Sequence, residues 1–385
     1  MDRRKFFSVT SAGAAAAAAS SISSAQAQQQ QQWRKGATSC ASGKLPLLKV
    51  KLGHQFGTLT ERSASWVARY GVDEICTSPV VTDPTRLYPT PEEMRKMLDL
   101  AAKWKLNVGM VDSVLLTSSH IDDEKNPAIM LAQSPQRDRD IEAFQNHIRT
   151  CAATGIKTIK YNMSLLGVVR SEEVPGRGDT VYEKWDAKAA LTKNPPLTKA
   201  GVVGADAFWE RIDYFLKRVV PVAAENKVRI ACHPQDPGTP PEGYQGITNV
   251  LGTIDGMKRF ISMYENPYHG LNFCQGTVSQ NLVNPKTELF DVIRYFGSRK
   301  KIFNVHFRNI TGGRDNFVAE MFPDEGDVDF VQALKVYREV GYEDMLMPDH
   351  APAVPGDARE VFQGENFPFA FVYIRGLMQA ERSIS

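Results

Sequence analysis

The run DMLMPDH, residues 344–350, decides how the chain folds. Its apolar residues are consecutive rather than alternating, as in a strand buried on both faces of a parallel sheet. Pro348 has no amide hydrogen and ends the run. An acid and an imidazole, Asp349 and His350, stand at its tip. Seven runs of similar texture precede it: LPLLKVKL (45–52), DEICTS (73–78), LNVGMVDS (106–113), TIKYNM (158–163), VRIACHP (228–234), LNFCQGT (271–277) and IFNVHFRN (302–309). After the runs come eight segments with an apolar stripe at helical period, at 63–71, 91–105, 139–154, 207–226, 254–266, 286–299, 328–341 and 369–382. Capping signals agree, as in Thr90-Pro91-Glu92-Glu93 and Asp327-Val328-Asp329. Eight strands alternating with eight helices predict an α/β fold of the (β/α)8 TIM barrel type. An open doubly wound sheet is the alternative, but it wants a glycine-rich phosphate turn after the first strand, and LGHQFGTLT is not one. A segment rich in Pro, Gly and charge, about 165–203, interrupts the fourth unit and reads as an excursion over the barrel mouth.

Chemistry in such a barrel gathers at the C-terminal ends of the strands, where the βα loops converge. Those ends carry His54, Asp112 and the pair Tyr161-Asn162, then His233, Cys274, His306 and Asp349 on the fifth to eighth strands. The last four are separated by 41, 32 and 43 residues, close to one βα unit each. Equivalent positions on consecutive strands point at a common centre. Imidazole, thiolate and carboxylate all bind divalent transition metals, so the four are read as a metal site. One histidine at a strand end is more often a satisfied polar residue than a ligand; four coordinating types in register are much harder to reach by chance. Strand alternation sends Cys232 to the face opposite His233, and Cys232, Cys76 and Cys151 are assigned to the core. His147, on a helix, and His269, in the turn NPYHG, are assigned structural roles.

The totals bound the rest. The chain has 385 residues, 42% hydrophobic and 23% charged, with a net charge of +2. That suits one large barrel with ample core. The first 27 residues hold three basic groups and one acidic, so the remainder balances at 43 of each. A neutral protein has no electrostatic footprint for nucleic acid, and Arg299-Lys300-Lys301 reads as a solvated turn. Residues 1–27 read as a twin-arginine signal peptide: Arg3-Arg4-Lys5-Phe6-Phe7, a weakly apolar Ala-rich stretch, then Ala25-Gln26-Ala27 for cleavage. A polar linker, 28–44, leads to a single catalytic barrel domain at 45–385. No stretch is long and apolar enough to span a bilayer. The expected location is the bacterial periplasm or the outside of the cell, reached through the twin-arginine translocase. Five scattered cysteines make no disulfide scaffold.

The motifs ACHPQDP, FCQGT, NVHFRN, EGDVDF and MPDH, with YNM after the fourth strand, occur in an order and spacing that resembles the mannonate dehydratases, metal-dependent barrels of the xylose isomerase-like group. The resemblance covers roughly Lys49 to Ala380. It implies that His233, Cys274, His306 and Asp349 hold Mn(II), or else Fe(II), Co(II) or Zn(II). It also implies that His350 is an active-site residue and that Arg308 and Asn162, with neighbouring Tyr161, line the substrate pocket. Three departures stand out. Met347 replaces the family's arginine before Pro-Asp-His, Gln235 enters the His-Pro-Asp-Asp-Pro motif, and Gly364 to Phe369 occupies the place of a proton-transfer tyrosine.

Three functions follow as expectations. The first is a hydro-lyase that converts a sugar acid to a 2-keto-3-deoxy acid, with His350 as general acid or base and Arg308 pairing with the substrate carboxylate. The second is a metal-dependent isomerase or epimerase of a neutral sugar, which the missing arginine favours. The third is a non-catalytic carbohydrate-binding protein, which the intact ligand set disfavours. The partner in each case is a small sugar or sugar acid, and a homo-oligomer is allowed.

Overall fold

The apolar runs become strands because each is sandwiched between a helix layer and the barrel interior, which satisfies consecutive apolar residues on both faces. The computed structural model describes residues 47–354, Gly364 and residues 366–383. The twin-arginine stretch, its cleavage site and the whole linker lie outside the described residues. In chain order the strands are β1 (Lys51–Thr58), β2 (Glu74–Ser78), β3 (Asn107–Asp112), β4 (Thr158–Asn162), β5 (Glu172–Pro175), β6 (Val181–Asp186), β7 (Arg229–His233), β8 (His269–Cys274), β9 (Ile302–His306), β10 (Thr311–Gly313), β11 (Asn316–Ala319) and β12 (Met345–Met347). Eight of them close a parallel barrel in the order β1-β12-β9-β8-β7-β4-β3-β2. This is a TIM barrel with helices between the strands. The expected caps are in place: Thr90 and Glu93 form a capping box ahead of Pro91–Lys103, and Asp329 caps Phe330–Glu339.

Two expectations change. The first strand starts at Lys51, not Leu45, because the parallel ladder to β12 begins with the pair Lys51–Met345. Leu48 and Val50 are buried but lie before it. The excursion at 165–203 is also more ordered than its composition suggests. It contributes β5, β6 and a short helix (Ala187–Thr192) to an antiparallel sheet of order β10-β11-β6-β5. That sheet has its own core, in which Trp185, Ile310 and Phe317 are almost fully buried. Among the described residues no helix is long and apolar enough to cross a membrane.

Candidate active site

Alternation along the strands selects the inward side chains. On β7 it turns Ala231 and His233 inward and Cys232 outward, and the register pairs Asn162 with His233 and Lys160 with Ala231. On β12 it turns Met345 and Met347 inward, with Asp349 following. The ligand-bearing atoms of His233, Cys274, His306 and Asp349 all lie within 4.8 Å of one another. The sequence-derived cluster is therefore brought together as expected.

Each donor is prepared differently. His233 Nδ1 lies 2.6 Å from the Pro234 carbonyl oxygen. That bond fixes the ring with Nδ1–H pointing away, leaving the Nε2 lone pair for the centre, the usual outer support of a ligand histidine. Burial depresses its pKa to about 4, so the ring is neutral. The Cys274 sulfur sits at the N-terminus of the helix Gln275–Gln280 and accepts from the Thr277 amide at 3.4 Å, the Thr277 hydroxyl at 3.2 Å and Arg308 Nε at 3.3 Å. Burial alone would raise this thiol, but Arg308 and His306 outweigh it and hold it below the ordinary thiol range. Asp349 is likewise held well below the usual carboxylate range: His306, His350 and Arg308 overcome its burial. Its backbone is left-handed, with φ at +61°, a conformation rare outside glycine that aims the carboxylate inward. His306 Nδ1 lies 3.0 Å from Asp349 Oδ2 without hydrogen-bond alignment, as two groups facing a shared third atom would.

Charge accounting tests whether a metal fits. Asp236, Glu320, Cys274 and Asp349, four anions, gather around three cations, the Arg170 and Arg308 guanidinium groups and the His350 imidazolium. Such an excess of buried anion is what a divalent cation would offset. Two imidazoles, a thiolate and a carboxylate, buried and convergent, suit a transition ion.

Several sequence-derived positions are corrected. Tyr161 turns outward and packs on Phe144 and Phe215, so it does not line the pocket. Asn162 does line it. His54 also faces the helices, against Phe367 and Phe371. Arg308 borders the cavity, yet every guanidinium nitrogen already has a protein partner: Nε with Cys274 and Asp349, Nη1 with Glu320, and Nη2 with Asp236 and Thr277. It organises the anions and has no edge left for a substrate carboxylate. Met347 is fully buried beneath the cluster, in contact with Asn304. His147 and His269 are buried and structural, as expected; His269 Nε2 meets the Phe260 carbonyl at 2.9 Å.

Four groups had escaped notice. Gln55 Nε2 donates to Asp349 Oδ1 at 2.7 Å, and Lys160 Nζ donates to Gln55 Oε1 at 2.6 Å. Asp236 bridges Arg170 and Arg308. Glu320 pairs with both arginines and reaches His350 Nδ1 at 2.6 Å. Burial would lower His350, but Glu320 and Asp349 outweigh it and raise its pKa to about 9. An inner cavity of about 70 Å³ borders the donor cluster. An outer chamber of about 420 Å³ shares Gln55, Val168, Asp349 and His350 with it.

A TIM barrel with a convergent cluster of possible metal donors at the C-terminal ends of its strands is the class that fold and site define. The family follows from comparison: the D-mannonate dehydratase (UxuA) profile matches residues 180–384, and the chain belongs to that family of hydro-lyases. A mannonate dehydratase of Thermotoga petrophila is 28% identical over 325 residues, covering 75% of this chain and 85% of the relative. Mannonate dehydratase 2 of Halalkalibacterium halodurans is 28% identical over 282 residues, 65% of this chain and 78% of the relative. Among solved structures, a mannonate dehydratase from Streptococcus suis serotype 2 superposes with a TM-score of 0.70 at 20% identity, over 87% of this chain and 95% of that one. An L-ribulose 3-epimerase superposes at 0.53 with 14% identity, over 87% and 95%. These superpositions bear on the fold alone.

Proposed function

We propose that this enzyme removes water from a mannonate-like aldonic acid at a divalent-metal centre held by His233, Cys274, His306 and Asp349. The observation that carries the reading is convergence of those four donors in a member of a dehydratase family. Manganese(II) is the ion proposed; iron(II), cobalt(II) and zinc(II) also suit the donors. When bound, such an ion acts as a Lewis acid on the substrate's carboxylate or neighbouring hydroxyl, which makes the hydrogen on C2 removable.

The reaction takes a proton from C2 and hydroxide from C3, leaving an enol that becomes the 2-keto-3-deoxy acid. The protein's own task is to hold the substrate and manage protons. His350 is half-buried at the edge of the outer chamber and is set as an imidazolium by Glu320 and Asp349. It is proposed as the acid that protonates the departing C3 oxygen. Asn162, at the cavity wall, is proposed to bind a substrate hydroxyl. The outer chamber is within the range of small-molecule sites. The Arg3-Arg4 pattern and the Ala25-Gln26-Ala27 site support export through the twin-arginine translocase to the periplasm or beyond. Metal analysis of the purified protein tests the centre. About one equivalent of a divalent transition ion, lost in a His306→Ala variant, is the expected result; no bound ion under any metal supply contradicts it.

A further inference from the structure

A sugar acid carries a carboxylate that an uncharged sugar lacks, and Arg308, the side chain expected to pair with it, is committed to protein anions. We propose that Lys160 is the specificity-determining residue, distinguishing a sugar acid from an uncharged sugar. The inference rests on the proposed substrate class.

Lys160 lies inward on β4, one turn of alternation below Asn162, and its side chain borders the inner cavity beside His233, His306 and Asp349. An ammonium this deep is costly unless it is paired. It has one anion, Asp112, at 2.9 Å, held in turn by the Ser78 hydroxyl at 2.9 Å. Its second bond goes to Gln55, whose amide holds Asp349 at 2.7 Å. Two of the three N–H groups are thus used to fix the head in place, which leaves one for a ligand in the cavity that Lys160 lines. Gln55 ties this head to the Asp349 carboxylate, so an oxygen bound to Lys160 would lie next to the donor cluster. Among the described residues that line the inner cavity, neither other cation offers the same. Arg308 is saturated, and His350 is on the outer side, paired with Glu320. Met347, inward on β12, is apolar and buried in the barrel core.

The alternative role is a structural pair in which Lys160 only neutralises Asp112. A binding comparison separates the two. Calorimetry on the manganese-loaded protein measures D-mannonate and uncharged D-mannitol, for the parent and for Lys160→Met combined with Asp112→Asn. The double change removes the pair together and leaves no buried charge orphaned. Mannonate affinity is expected to fall about 10- to 100-fold, the scale of a charged hydrogen bond, while mannitol affinity stays unchanged. A Lys160→Arg variant, which keeps the charge, is expected to retain preference for the acid. Unchanged mannonate affinity in the double variant overturns the proposal, as does an equal fall for both ligands or a parent that does not prefer the acid. A parent that binds mannonate tightly yet forms no keto-acid sinks the dehydratase reading and leaves the role of Lys160 intact.

Discussion

Cys274 and His350 both touch Asp349, at 3.8 and 3.4 Å to the same carboxylate oxygen, but they are expected to fail differently. Cys274→Ser replaces a stabilised thiolate with a neutral hydroxyl, so bound metal, read by elemental analysis, should fall at least about tenfold. His350→Asn keeps a polar side chain beside the donors; metal should stay while turnover drops about 100-fold. Full metal in the serine variant, or full rate in the asparagine variant, contradicts the assignments. The buried histidines away from the site give a pH signature. Burial holds His147 at about 3 and His269 at about 4. Below about pH 6.5 the unfolded chain takes up protons that the native state refuses. Stability therefore falls on acidification, by up to about 1.4 kcal/mol per unit for each residue. Chemical denaturation of metal-free protein from pH 7 to 5 should show this slope, flattened in a His147→Gln, His269→Gln double variant. Equal slopes would remove these residues from the account. At this scale the four donors were legible because their types are distinctive and fall once per βα unit. Lys160 was hidden because naming the pair Tyr161-Asn162 leaves the inward parity of β4 open, and the register of Asn162 with His233 settles it. Gln55 was hidden because β1 begins six residues later than its apolar signal.

Elements were read well where they are long and buried, and poorly where they are short and exposed. The barrel strands announced themselves through consecutive apolar residues. β5 is largely exposed and β10 has three residues, so neither carries a periodic signal. Yet that small sheet delivers Glu320, just past β11, and Arg170, just before β5, to the site. The barrel closes at a seam where β1 meets the three-residue β12 through two paired positions. Gly53 lets that seam close: a Cβ there would come within 2.9 Å of the Met345 Cβ. Gly53→Ala is expected to destabilise the fold by about 1–3 kcal/mol, the cost of overpacking, seen as a lower midpoint of denaturation. An unchanged midpoint would show that the seam has slack that the geometry does not display.

For the whole molecule, the proposed export route and the metal centre are connected. A four-donor site of this kind binds copper and zinc more strongly than manganese, so loading outside the cytoplasm would favour the wrong ion. Folding around manganese before twin-arginine export avoids that competition. Changing Arg3 and Arg4 to lysine is expected to leave folded, metal-loaded protein in the cytoplasm, detected by fractionation and metal analysis; unimpeded secretion would make the arginines incidental. The central claim concerns what the barrel does once loaded. Its most direct test is quantitation of 2-keto-3-deoxy acid after incubating the manganese-loaded enzyme with D-mannonate and related aldonic acids. Keto-acid that accumulates with time from at least one of these acids, and that chelation abolishes, is the expected result. Sugar acids returned intact, or isomerised without loss of water, would contradict it.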